Sequence, residues 1–73
     1  EIGDFDIYPN PTTNLLTFRT FEIGDMIRIY DLSGKMVRQQ IANNHVTQMD
    51  VSDLHDGIYI LKYQNTTLKV VKQ

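Results

Sequence analysis

The sequence predicts an all-β fold, a small antiparallel sandwich of seven short strands, on three observations. The first is composition. Eight isoleucines, five valines, seven threonines and seven aromatics stand against a single alanine, Ala42, and two glutamates, a set that suits pleated strands better than helices. The second is periodicity, because short segments alternate apolar and polar side chains along most of the chain. The third is punctuation: Pro, Gly, Asn and Asp cluster between those segments at near-regular spacing.

Taken in order, Phe5-Asp6-Ile7-Tyr8 alternates and stops at Pro9-Asn10-Pro11, where two prolines remove backbone donors and bias Tyr8 and Asn10 to extended geometry. This predicts an edge strand running into a rigid bend. Residues 15–20 form the second strand, with Leu16, Phe18 and Thr20 on one face and Leu15, Thr17 and Arg19 on the other. Gly24-Asp25 reads as a turn. Met26-Ile27-Arg28-Ile29-Tyr30 then sets Ile27 and Ile29 against Met26, Arg28 and Tyr30. Asp31-Leu32-Ser33-Gly34-Lys35 joins this third strand to Met36-Val37-Arg38-Gln39-Gln40-Ile41 as a hairpin, in which Asp31 caps its own backbone two residues on and Gly34 takes positive φ. After a polar stretch at 42–45, residues 46–51 alternate with Thr47, Met49 and Val51 facing one way.

Residues 52–57, Ser-Asp-Leu-His-Asp-Gly, are too short for a helix. They read as one tight turn with Leu54 tucked beneath it and Gly57 at a left-handed stop, a crossover between two sheets. Residues 58–63 resume the strand pattern and Gln64-Asn65-Thr66 turns. Residues 67–72 close the chain, with Leu68 and Val70 opposite Lys69 and Val71 and with Lys69 and Lys72 guarding a sheet edge. Seven short strands with turns between them point to a sandwich of immunoglobulin-like type, occupying 1–73 as a single domain.

Composition also excludes functions. Seventy-three residues without cysteine offer neither disulfides nor thiolate metal sites, and a core this lean leaves little interior for a catalytic pocket. A net charge of −2 with mixed signs along the chain provides no basic footprint for nucleic acid, and apolar runs are too short for a membrane-spanning helix. His45 and His55 lie in loops, ten residues apart and without convergent partners, so no metal or cofactor is expected. Asp50, Asp53 and Asp56 surround one turn at a spacing that suits capping and turn bonding, not a calcium loop. Ser33 and Ser52 sit at turns without a catalytic constellation. Asn65-Thr66-Thr67 matches a glycosylation acceptor in form only, inside a hairpin. Tyr8, Tyr30, Tyr59 and Tyr63 fall within strands, where core or cross-strand packing is the expected use.

Six segments in one order carry a resemblance. They are Ile7-Tyr8-Pro9-Asn10-Pro11, Leu15-Leu16-Thr17, Ile29-Tyr30-Asp31-Leu32-Ser33-Gly34-Lys35-Met36-Val37, Met49-Asp50-Val51-Ser52-Asp53-Leu54, Gly57-Ile58-Tyr59-Ile60-Leu61-Lys62 and Lys69-Val70-Val71-Lys72-Gln73. Together the chain resembles the C-terminal sorting domain of type IX secretion system (Por secretion system) cargo. The resemblance implies a non-enzymatic delivery signal at the end of a larger precursor in a Bacteroidetes-type Gram-negative bacterium. It implies as partners the translocation machinery, a surface sortase that removes the domain, and the cargo preceding it, with passage through the periplasm to the outer-membrane surface or beyond. The chain begins at Glu1, which agrees with excision from something longer. One departure is the last hairpin, often glycine-bearing in the family and here Gln64-Asn65-Thr66-Thr67.

The expected partner-binding residues are therefore Lys69, Val70, Val71, Lys72 and Gln73 on a terminal edge strand, with Pro9, Asn10 and Pro11 as a presented rigid bend. Gly34 and Gly57 are expected to be structural turn residues. An immunoglobulin-like binding or spacer module, such as a carbohydrate-binding accessory of a surface enzyme, is the alternative reading. Self-association is left open.

Overall fold

The computed structural model describes residues 5–8, 11–20 and 24–73. Pro9 and Asn10 lie outside the described residues. The strands are β1 (Phe5–Tyr8), β2 (Leu15–Thr20), β3 (Met26–Tyr30), β4 (Met36–Ile41), β5 (Val46–Asp50), β6 (Gly57–Tyr63) and β7 (Thr66–Lys72). They form a three-stranded sheet ordered β1-β2-β5 and a four-stranded sheet ordered β4-β3-β6-β7, antiparallel at every strand pair. The seven-stranded all-β sandwich is thus as the sequence predicts. Its fourth strand lies beside β3, whereas the constant-type immunoglobulin order places that strand next to the fifth.

Side-chain alternation decides the layers. Leu16 and Phe18 of β2, Met49 of β5 and Val51 just beyond it meet Ile27 and Ile29 of β3, Tyr59, Leu61 and Tyr63 of β6 and Val70 of β7 in one buried cluster. Ile7, Val37 and Leu54 pack against its margins, Leu54 from the turn predicted to tuck it there. Burial of this layer is the main stabilising term, at about 2 kcal/mol for each fully enclosed large aliphatic side chain.

The connections are held by backbone bonds and by short polar side chains. In the β3–β4 hairpin the Asp31 carboxylate accepts from the Ser33 amide at 3.0 Å and the Lys35 amide at 2.9 Å, while the Asp31 amide donates to the Lys35 carbonyl at 2.9 Å. Gly34 sits at φ +93°, a conformation that strains any residue with a Cβ. Between Ile29 and Tyr30 the β3–β4 register shifts: Ile29 faces Arg38, Tyr30 faces Met36, and Val37 is the extra residue of a bulge. Met36 is thereby turned outward beside Tyr30.

The two crossovers at the other end are stapled together, since the Gly24 amide donates to the Ala42 carbonyl at 2.7 Å and the Ala42 amide donates to the Asp25 carbonyl at 2.8 Å. This explains why Ala42, in a stretch read as a polar loop, is fully buried. The β5–β6 crossover is closed by the Val51 amide on the Asn14 carbonyl at 2.8 Å and by the Tyr59 hydroxyl on the His55 carbonyl at 2.6 Å. The last hairpin is tighter than the sequence suggests. Tyr63 pairs with Thr66, so only Gln64 and Asn65 form the loop and β7 starts at Thr66. Gln64 takes φ +54°, and its side-chain amide donates to the Asp25 carboxylate at 2.6 Å, which offsets the cost of a left-handed non-glycine residue.

Two turn carboxylates are held below the ordinary aspartate value of 3.8. The cause at Asp31 is first the Ser33 hydroxyl and then the Lys35 amide; at Asp50 it is the Ser52 hydroxyl followed by the Ser52 amide. A carboxyl that is more acidic folded than unfolded contributes stability that is present above its unfolded pKa and lost as pH falls through the folded value. The contribution of these two groups should accordingly be level from about pH 7 to about pH 5 and should decline below about pH 4. Urea midpoints measured across that range check this, and Asp31→Asn, which retains an acceptor oxygen, should make the acid decline shallower. Core placement is checked separately with Ile29→Asp. Ile29 is 1% exposed, and an unpaired carboxylate there should cost about 4 kcal/mol, most of the stability of so small a domain, abolishing the cooperative melt followed by circular dichroism.

Candidate recognition surface

The C-terminal strand meets Thr12, the residue after Pro11 and 60 positions before Lys72. Beyond the proline bend, the Thr12 amide donates to the Val71 carbonyl at 2.8 Å and the Gln73 amide donates to the Thr12 carbonyl at 2.8 Å, forming a parallel bridge between Thr12 and Lys72. Thr12 is 1% exposed, and its hydroxyl donates to the Leu15 carbonyl at 2.8 Å, which turns the chain from the bend into β2. Pro11, immediately before it, is exposed. The end of β7 is therefore bounded by β6 on one side and by Thr12 on the other.

Within β7 the alternation sorts the predicted residues. Val70, 2% exposed, belongs to the core. Lys72 does not guard the edge as its charge suggested: it is 6% exposed and points inward. The physical reason is register. Lys72 shares the parity of Leu68 and Val70 and buries its aliphatic stem, while its ammonium lies 3.8 Å from an Asp56 carboxylate oxygen and 3.3 Å from the Gln73 carbonyl. Lys69 and Gln73 are exposed, and Val71 is half-buried on the outer face of the sheet. Gly34 lies in the β3–β4 turn at φ +93°, whereas Gly57 is already the first strand residue of β6, opposite Lys72 at φ +153°, just beyond the turn the sequence suggests for it.

The remaining candidates are dispersed. Asp50 is engaged with the Ser52 amide at 2.9 Å, Asp53 pairs with Arg38, and Asp56 faces Lys72. The four tyrosines form no common platform: Tyr59 and Tyr63 are buried in the core, whereas Tyr8 and Tyr30 stand on the outer faces of opposite sheets. Among the described residues no three His, Asp or Glu side chains converge as a metal site.

The outer face of the four-stranded sheet is the feature that strand-by-strand reading missed. Register places Ile60 beside Lys69 and Tyr30, Ile58 beside Val71, and Arg28 directly opposite Lys62. Lys62 swings its ammonium to 5.3 Å from the centre of the Tyr30 ring. Tyr30, Ile60, Lys62 and the 31–34 turn enclose an open hollow of about 370 Å³. Alternation on each strand was visible in the sequence, but which strands lie side by side was not.

The bridged C-terminal strand, the polar turns and the shallow outer face are surfaces open to another protein. Comparison with known families agrees: the family described as Secretion system C-terminal sorting domain matches residues 6–73. The chain belongs to that family. It is a non-catalytic secretion signal for type IX cargo, which implies recognition by the secretion machinery and delivery of the cargo to the cell surface or the exterior. No significant match was found among curated proteins or solved structures.

The inward placement of Lys72 has a measurable consequence for the sorting domain. Lys72→Glu puts a carboxylate in a buried position facing Asp56 and should lower stability by about 2–4 kcal/mol, whereas Lys72→Met, which keeps the stem, should change it by less than about 1 kcal/mol. Lys69→Glu, on the exposed side, should fall within about 0.5 kcal/mol of the parent. Urea denaturation of the three variants checks the order.

Proposed function

We propose that the machinery reads the end of β7 together with the proline bend, through the exposed side chains of Lys69 and Gln73, the outward Val71, and Pro9, Asn10 and Pro11. Val70 and Lys72 hold that strand in register from inside. The observation that supports this reading is the Thr12 bridge, which fastens the C-terminal strand to the residue next to Pro11. Residues 1–73 are the terminal domain of a larger precursor whose cargo precedes them. The cargo travels through the periplasm and is released on the outer-membrane surface or outside after a sortase removes the domain. No interior site is needed for an address of this kind; a stable fold and an accessible rim suffice.

Fusion of residues 1–73 behind an exported reporter, in a host with the type IX machinery, tests the reading. Truncation at Lys69 would also remove Val70 from the core, so point variants are the cleaner probe. The parent fusion should reach the medium or the cell surface. Lys69→Ala combined with Val71→Ala and Gln73→Ala should hold the reporter in the periplasm while the isolated domain still melts within about 5 °C of the parent. Unchanged export of a correctly folded triple variant would count against recognition at this strand.

A further inference from the structure

The outer face of the four-stranded sheet has a charge opposite in sign to the chain as a whole. The net charge is −2, yet the outward positions of β3, β4, β6 and β7 carry Arg28, Lys62 and Lys69 and no carboxylate. Arg28 and Lys62 stand directly opposite each other, a like-charge cross-strand pair whose repulsion an anion between the two groups would relieve beyond what the turn of Lys62 toward Tyr30 achieves. Two carboxylates border this face, Asp31 on the rim of the hollow and Asp25 beside Arg28, and each is hydrogen-bonded to loop residues. Asp31 accepts from Ser33 and Lys35 in its own turn, and Asp25 accepts from Gln64.

Beside this cationic pair lies the hollow floored by Tyr30 and Ile60 and bounded by Leu32, which is 68% exposed. Met36, displaced outward by the β4 bulge, and Ile58 add exposed apolar surface nearby. Three cations on a sheet of this size are too few for a nucleic-acid footprint. A cationic strip that meets an open hollow at Lys62 fits a peptide that brings both carboxylates and a bulky side chain.

We propose that this face docks an acidic segment of a partner protein, with a partner carboxylate between Arg28 and Lys62 and an apolar side chain in the Tyr30–Ile60 hollow. The proposal extends the recognition surface from Lys69 across β6 to β3 and names the partner's chemistry. It rests on the sorting reading for the identity of the partner's system, and on charge and shape for the contact itself.

The test is a nuclear magnetic resonance titration of the isotopically labelled domain with the capped hexapeptide Asp-Asp-Phe-Leu-Asp-Asp. Amide signals of Tyr30, Ile60 and Lys62 should shift saturably. Affinity should fall at least tenfold when the four Asp are replaced by Asn, and again when Phe-Leu is replaced by Gly-Gly. Arg28→Glu with Lys62→Glu should also weaken the Asp peptide at least tenfold, with the melt retained because both positions are exposed. Leu32→Asp, at the exposed rim, should weaken it without touching the sheet. Equal affinity for the Asn peptide, shifts scattered away from this face, or unchanged binding by the charge-reversed pair overturns the proposal. So does capture of the same three signals by phosphatidylglycerol vesicles with no response to the peptide. Because the titration uses no secretion machinery, its failure leaves the sorting reading standing, and failure of the reporter test leaves the titration standing.

Discussion

Burial of one apolar layer between two sheets is the interaction on which everything else in this domain depends, since no disulfide is present to share the work. Leu16, Phe18 and Met49 on one sheet and Ile27, Ile29, Leu61 and Tyr63 on the other are useful only if every strand keeps its parity, because a slip of one residue would exchange core and solvent faces. The turns keep that parity. Asp31 with Gly34 sets the β3–β4 register, Gln64 in a left-handed conformation sets β6–β7, and the paired crossovers at Gly24 and Ala42 set the handover between layers. Polar residues in these loops are thus part of the packing argument, although none of them is in the core.

The same constraint shapes the recognition surface. A sandwich this small spends all its inward positions on the core, so function is confined to edges, loops and outer faces. The terminal strand illustrates the division: Val70 and Lys72 anchor it from beneath while Lys69 and Gln73 remain outside. Lys72 is instructive because its charge suggested exposure and its parity required burial. Parity won, since a four-carbon stem can lie along apolar neighbours and deliver its ammonium to Asp56 and a backbone carbonyl at the rim.

Strand boundaries were legible in the residues themselves. The second, third and fourth strands begin and end near Asn14, Gly24-Asp25 and Asp31-Leu32-Ser33-Gly34, and the last two turns have short-range chemical causes, an Asx bond at Asp31 and a positive φ at Gly24 and Gly34. The misread details share another origin. Thr66 reads as a turn residue because polar residues cluster there, and pairing with Tyr63 draws it into β7. Ala42 reads as loop, and the bonds between two crossovers bury it.

Sequence alone therefore determined the all-β class, the seven strands, the inward-facing residues of most of them and, through six ordered segments, the sorting-domain family. Only the tertiary structure decided which strands are neighbours, that Thr12 clasps the C-terminal strand beside Pro11, that Lys72 is buried, and that Arg28, Lys62, Tyr30 and Ile60 share one face. The reason is range. Alternation, capping and turn conformations depend on atoms a few residues apart, whereas lateral strand order and a composite surface arise from contacts between segments up to 60 residues apart, whose mutual fit no local pattern encodes.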